Sequence, residues 1–447
     1  MKIYKDTIKS FFITLLAILA IAVVGFLIGS WLLKPKQPSQ QDLSYKAKVT
    51  YPNGPIKLTY WRNADDKTAL DAILVRWKQL HPNVTIDVVN IPLSSYEKKL
   101  SDAVNSNTLP DMFMIKPDWL PRYINSTQPS PTEVFSEGDY KKIFAPIAAN
   151  QLIRDGKVHA VSYSLPTLGL IYNQDLFTSA GIDSPPSSWQ DLVDDNSKLV
   201  KKSGNGLISS GIALGTPGVS SSASILPMLM MQNGAIMTNT PPTEATFQKL
   251  SADNYPSAIK ALDFYTSFAR PGKSTYSWSD GFGDSTQAFA KGRTAMVIDY
   301  PNKISSIKAI SPALNLKVAK IPQLNPGSPI NYADYWAETA SKSTKYPEIA
   351  WDFYNYMTSY EIMNMYSVAT TKPASRLDLA KYQQTDPIIG PFASQVPSAQ
   401  NFYKGNISLS DTAMLEMINS VLAGYDPAIA VRAGSDKVTT AISQFPY

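Results

Sequence analysis

Two short runs concentrate the side chains able to grip a small molecule. Trp61-Arg62-Asn63, with Asp65 and Asp66 just beyond, offers an aromatic plane, a forked cation, an amide and two carboxylates. Asp118-Trp119 offers a carboxylate beside a second indole. Such groups hold a ligand rather than transform it: flat rings cover apolar faces, and bidentate polar groups exchange hydrogen bonds with hydroxyls. The alternative for the first run is structural, with Trp61 in the core and Asp65 or Asp66 capping a helix. For Asp118-Trp119 it is a plain surface loop. Residues suited to bond-making are sparse. The 447 residues include no cysteine and two histidines, His81 and His159. That removes disulfides, thiolate metal sites and cysteine nucleophiles, and leaves little for a histidine metal centre. No nucleophile-elbow motif accompanies the serines. The 36 acidic residues permit a hydrolytic carboxylate pair, but no pair is singled out. No cofactor is expected.

These runs need elements to carry them. Ile56, Leu58 and Tyr60 alternate with Lys57 and Thr59, a strand pattern. Leu70, Ile73, Leu74, Trp77 and Leu80 recur at helical spacing, and His81-Pro82 ends that helix. Val84–Val89 and Asp111–Ile115 read as further strands around a helix bearing Tyr96, Leu100, Ala103 and Val104. Strand–helix alternation implies a largely parallel sheet, whose ligands bind beyond the C-terminal strand ends, where both runs lie. A second α/β unit follows. Its strands are expected at Leu168–Tyr172, Met296–Ile298 and Val318–Ile321. Ser188 with Asp191 predicts a capped helix, Pro256 and Pro347 open others, and residues 203–224 read as a Gly/Ser-rich loop.

The N-terminus addresses the compartment. Residues 11–33 carry no charge, and at about 1.5 Å per residue they span roughly 35 Å, enough for a bilayer core. The absence of a small-residue cleavage site favours an uncleaved anchor over a removed signal. Lys2, Lys5 and Lys9 favour a cytoplasmic N-terminus with the body outside, against which Lys34 and Lys36 weigh. Residues 34–55 read as a flexible linker. The net charge of +5 is spread along the chain, which gives nucleic-acid binding no support.

Four segments in order resemble bacterial extracellular solute-binding proteins of ABC importers, of the maltose-binding-protein type. They are HPNVTIDVVNIPLSSYEKKL with LPDMFMI, LGLIYNQDLFTSAGIDSPPSSWQDLVD, AFAKGRTAMVIDYP, and ASKSTKYPEIAWDFYNYM. The likeness covers about residues 56–380. It implies an α/β, two-lobed periplasmic-binding-protein type II fold with hinge strands, here preceded by a transmembrane helix. The expected division is lobe 1 at 56–165 and 321–356, and lobe 2 at 166–320 and 357–447, with crossings near 163–167, 320 and 356. It further implies a saccharide captured by lobe closure and presented to ABC permease subunits, with no catalysis. Family positions add Tyr163, Tyr300, Tyr335 and Trp336 to Trp61, Arg62, Asn63, Asp65, Asp118 and Trp119 as ligand contacts. Tyr300-Pro301-Asn302 stands where the family often has Gly-Pro-Trp, and Asp334-Tyr335-Trp336 replaces Gly-Gly-Trp, which implies a reshaped cleft. The rival readings are a membrane-anchored binding sensor and an anchored polysaccharide hydrolase.

Overall fold

The computed structural model describes residues 45–63, 66–204, 206–251 and 253–447. The apolar span 11–33, residues 34–44 of the expected linker, and Asp65 lie outside the described residues. Among those described, no helix is long and apolar enough to cross a membrane. The strands in chain order are β1 (Ile56–Arg62), β2 (Val84–Asn90), β3 (Met112–Ile115), β4 (Thr127–Gln128), β5 (Ile153–Arg154), β6 (Lys157–Val158), β7 (Gly169–Asn173), β8 (Lys201–Ser203), β9 (Gly206–Ile212), β10 (Thr294–Asp299), β11 (Leu316–Ala319), β12 (Asn331–Tyr332), β13 (Ala337–Ser341) and β14 (Ala399–Gln400). The helices that bear on the site are α1 (Lys67–Leu80), α2 (Leu93–Asn105), α3 (Trp189–Leu199), α4 (Ser222–Gln232), α5 (Ser257–Ser267), α6 (Pro347–Met357), α7 (Tyr360–Thr370), α8 (Ile407–Leu422) and α9 (Pro427–Gln444).

Two five-stranded sheets organise the body, ordered β2-β1-β3-β13-β4 and β11-β7-β10-β9-β8. In β1 the alternation works as predicted: Ile56, Leu58 and Tyr60 are buried and Lys57 is exposed. β3 is buried at every residue because it sits mid-sheet. α1 lays Leu70, Ile73 and Trp77 inward, each burial contributing about 1.5–3 kcal/mol. Ser188 and Asp191 form the expected capping box on α3, and Pro347 opens α6. The second lobe has its own core, where β7 and β10 meet α4, α5, α8 and α9.

Two expectations change. Residues 203–224 are not one loop, since they contain β9 and the start of α4. The strand was hidden because Ser209, Ser210 and Gly211 interrupt its apolar residues. A Cβ on Gly211 would stand 2.3 Å from the Asn196 Oδ1, so the packing demands glycine and erases the apolar alternation. The linker expected over 34–55 is not free throughout: Tyr45, Lys48 and Tyr51 are bonded to Asp352 of α6. Residues 161–167 pair with two later segments, through the Val161–Glu338 and Thr167–Ala333 bridges and through Ser164–Ala374. α6 covers β13, and α7 lies on α1, where Arg76 pairs with Glu361 at 3.2 Å.

Candidate functional site

Strand register assembles the site. β1 and β3 run parallel, with Tyr60 opposite Met112, so their C-terminal ends share one edge of the first sheet. β13 runs antiparallel to β3 with Ala337 opposite Ile115, which delivers Trp336 to the same edge. There the Trp119 and Trp336 rings meet edge to face, 5.3 Å apart at 84°. Tyr96 of α2 completes the corner, 5.5 Å from Trp336 and stacked on Trp119 at 6.5 Å. Its hydroxyl lies 3.1 Å from the Trp61 carbonyl and 3.0 Å from that of Met114, tying the corner to β1 and β3. Trp336 is half-buried, whereas Trp119 is buried with an indole N–H that has no acceptor among the described residues. A buried donor left open is a point where a ligand oxygen or a water completes the bonding.

Charge surrounds this corner. The Lys116 ammonium stands 4.8 Å over the Trp336 ring and pairs with Asp334, whose side chain is 55% exposed. What burial Asp334 has works to raise its carboxyl, but Lys116 and Lys404 outweigh this and hold it below the ordinary carboxylate range. Asp118 is buried, and Lys404, just before α8 in the second lobe, donates its backbone N–H to the Asp118 carboxylate at 2.7 Å. Burial pushes Asp118 up to about 6, against the pull of that N–H and of the Lys404 and Lys116 charges. The Lys404 ammonium pairs with Asp411 at 2.6 Å. Gly405 makes this turn with φ +58°, and a Cβ there would stand 2.4 Å from the Ala441 carbonyl oxygen, so only glycine fits. From the second sheet, Asp299 accepts from Ser221 at 2.7 Å and from the Tyr300 N–H at 2.8 Å. That fixes Tyr300, half-buried and within electrostatic reach of Asp334.

The expected contacts therefore divide. Asp118, Trp119 and Trp336 are brought together, with Tyr300 on the second lobe. Trp61 joins them through its carbonyl, while its ring is half-buried with the Lys99 ammonium 4.8 Å over it. Asn63 follows it and is buried. Three residues expected as ligand contacts are enclosed. Tyr335 is 1% exposed and donates to Gln151 at 2.7 Å. Arg62 is 1% exposed, paired with Asp66 at 2.5 Å and Glu338 at 3.1 Å, and it lies 5.5 Å over the buried Tyr163 ring. A guanidinium so enclosed must spend its donors on internal acceptors. Burial pushes Glu338 up to about 7 despite Arg62 and a bond from the Tyr60 hydroxyl at 2.6 Å. Asp66 occupies the N-cap position of α1 yet makes no capping bond; its Oδ2 accepts from Arg62 and Tyr366.

Sequence reasoning missed Tyr96, Lys116 and Lys404. Lys116 had a signal, being adjacent to a strand end. Tyr96 read as a core position of its helix, which it also is. Lys404 had none, since only folding brings it to Asp118, 286 residues away. Among the described residues, no group of acidic and histidine side chains could hold a metal ion.

Two α/β lobes, with an aromatic and charged corner at one sheet edge, define a two-lobed binding-protein fold. Residues 72–389 match the family described as bacterial extracellular solute-binding protein, and the chain belongs to that family. It is a binding protein, not an enzyme. A Brucella abortus protein named as a binding protein is 23% identical over 283 residues, 62% of this chain and 65% of that protein, so the match spans slightly less than two thirds of the relative. A maltotriose-binding protein of Pyrococcus abyssi is 22% identical over 138 residues, 30% of this chain and 29% of that one. Among solved structures, the cyclic alpha-maltosyl-1,6-maltose binding protein of Arthrobacter globiformis superposes with a TM-score of 0.73 at 21% identity, covering 88% of this chain and 100% of that one. The sugar-binding protein MalE of Xanthomonas citri gives 0.73 at 17% identity, covering 87% and 98%. At these identities the likeness establishes the fold.

Proposed function

We propose that this chain is the extracytoplasmic solute-binding subunit of an ABC-type importer for a sugar or oligosaccharide. Residues 11–33 anchor it as a single membrane span, and the closed form is presented to permease subunits. One observation carries the ligand class: the Tyr96, Trp119 and Trp336 corner, ringed by Lys116, Asp334 and Asp118. Sugars present apolar C–H faces to aromatic planes and a rim of hydroxyls to charged and polar groups, so both halves of that demand meet at one sheet edge. The open Trp119 N–H is a donor for one hydroxyl. The family's extracellular description supports a body outside the cytoplasm, and relatives of this fold are named for maltose-type saccharides. Solute entering between the lobes gains contacts from both, so it favours closure by its differential affinity for the closed state.

A thermal-shift screen with linear and cyclic malto-oligosaccharides, followed by calorimetry, tests this reading. A true ligand at about 100 times its Kd adds roughly 2.7 kcal/mol of stability. Failure of every saccharide to shift melting, with a clear shift from a peptide or an anionic solute, would remove the sugar assignment.

A further inference from the structure

A buried carboxylate needs donors, and on α6 most of those donors come from outside the lobe. Asp352 is 0% exposed. It accepts from the Tyr45 hydroxyl at 2.5 Å, the Tyr51 hydroxyl at 2.8 Å and the Lys48 backbone N–H at 3.1 Å. Asn355, one turn on, adds a bond at 3.3 Å. The same short segment is fastened at further points. Asn355 donates to the Lys46 carbonyl at 3.1 Å, and the Lys48 ammonium donates to the Val134 carbonyl at 2.7 Å. Tyr51 stacks on His81 at 4.2 Å and 18°, and the Tyr45 hydroxyl lies 3.1 Å from the His81 Nε2. The Tyr45 ring sets its edge against Tyr356 at 5.1 Å. Without this segment Asp352 would lose three of its four donors, and a carboxylate is costly to leave unpaired in the interior.

The place of attachment matters. The segment sits against His81 at the end of α1 and leads into the start of β1 at Ile56. β1 then runs seven residues, about 20 Å, to the edge that bears the candidate site. The attachment is thus at the pole of the first lobe opposite the cleft.

We propose that Tyr45–Tyr51 is a clasp that fastens the chain leading from the apolar N-terminal segment to the far pole of the first lobe. This rests on the reading of residues 11–33 as a membrane anchor. The clasp shortens the tether. With it closed, residues 34–44 alone join span to body, a covalent reach of at most about 40 Å; with it open, residues 34–55 would reach about twice as far. The cleft edge, at the other end of β1, is left clear for solute and permease.

Limited trypsin digestion of the full chain in its membrane, or in detergent, tests the clasp. Lys36 precedes it, and Lys46 and Lys48 lie within it. Cleavage at Lys46 and Lys48 should be slower than at Lys36 by on the order of tenfold or more, because cutting requires local opening. Tyr45→Ala combined with Tyr51→Ala should abolish that protection while leaving saccharide affinity unchanged. Asp352→Asn, which keeps the volume of the buried group, should weaken the protection from the lobe side. Equal cutting at Lys36, Lys46 and Lys48 in the parent chain, or protection that survives the double substitution, overturns the proposal. The anchor is read separately by sedimentation with membranes: a soluble chain with protected Lys46 removes the anchor and keeps the clasp, and a sedimenting chain with unprotected Lys46 does the reverse.

Discussion

The Asp118 carboxylate accepts the Lys404 backbone N–H at 2.7 Å, joining the edge of the first sheet to the turn before α8 in the second lobe. Hydrogen bonds involving a charged partner contribute about 1.5–3 kcal/mol. Asp118→Ala should therefore loosen the lobes and expand the chain in small-angle scattering. Asp118→Asn, which keeps an acceptor, should expand it less. Identical scattering for the parent and both variants would show that this bond does not hold the lobes together.

The same carboxyl predicts a pH dependence. Folding raises Asp118 from 3.8 to about 6, so between these values the folded state binds the proton more tightly than the unfolded state. Stability should thus fall as pH rises from about 4 to about 6, by roughly 2–3 kcal/mol in total. Glu338 adds a fall in the same sense up to about 7. Chemical denaturation of the parent and Asp118→Asn across pH 4–7 isolates the Asp118 contribution: the difference between the two curves should change below pH 6 and be level above it.

Trp119 and Trp336 share a ring contact but should respond differently to truncation. Trp336 is half-buried at the mouth of the corner, so Trp336→Ala should weaken saccharide binding by about 1–3 kcal/mol with little loss of stability. Trp119 is 6% exposed, and Trp119→Ala should cost about 3–5 kcal/mol of folding free energy as well. Calorimetry paired with urea denaturation separates the two effects. Unchanged affinity in Trp336→Ala would mean that the ring does not line the ligand path.

Behind the corner, Arg62 is a structural cation. Arg62→Ala leaves Asp66 and Glu338 buried without their partner and should destabilise by about 3–5 kcal/mol. Arg62→Met combined with Asp66→Asn and Glu338→Gln removes all three charges and should recover part of that loss. A loss no smaller in the triple variant than in Arg62→Ala would show that unpaired charge is not the origin of the cost.

Gly405→Ala should cost at least about 1 kcal/mol, since it combines a left-handed backbone with a 2.4 Å approach to the Ala441 carbonyl oxygen. Because that turn aims the Lys404 N–H at Asp118, saccharide affinity should fall with it. Gly424, also at positive φ (+94°) but in open space, supplies the control: Gly424→Ala should be strained yet leave affinity unchanged.

The sequence by itself determined the elements and the class of fold. Alternation in Ile56–Tyr60, the helical stripe ending at His81-Pro82, the Ser188–Asp191 box and the order of four family segments are local signals, and each element formed where side-chain periodicity set a buried face. Among the candidate residues, Asp118, Trp119 and Trp336 were legible as positions at strand ends. What only the tertiary structure decided is which polar groups face the cleft and which are enclosed. Arg62 looks like a ligand group in sequence, yet it is consumed by Asp66 and by Glu338, 276 residues later in the chain. Lys404 carries no signal in the sequence, yet its backbone meets Asp118. Tyr45 and Tyr51 read as linker, yet they satisfy Asp352. In each case the deciding quantity is the cost of burying a polar group unpaired, and the partner that offsets it stands far away in the chain, where no local pattern can announce it.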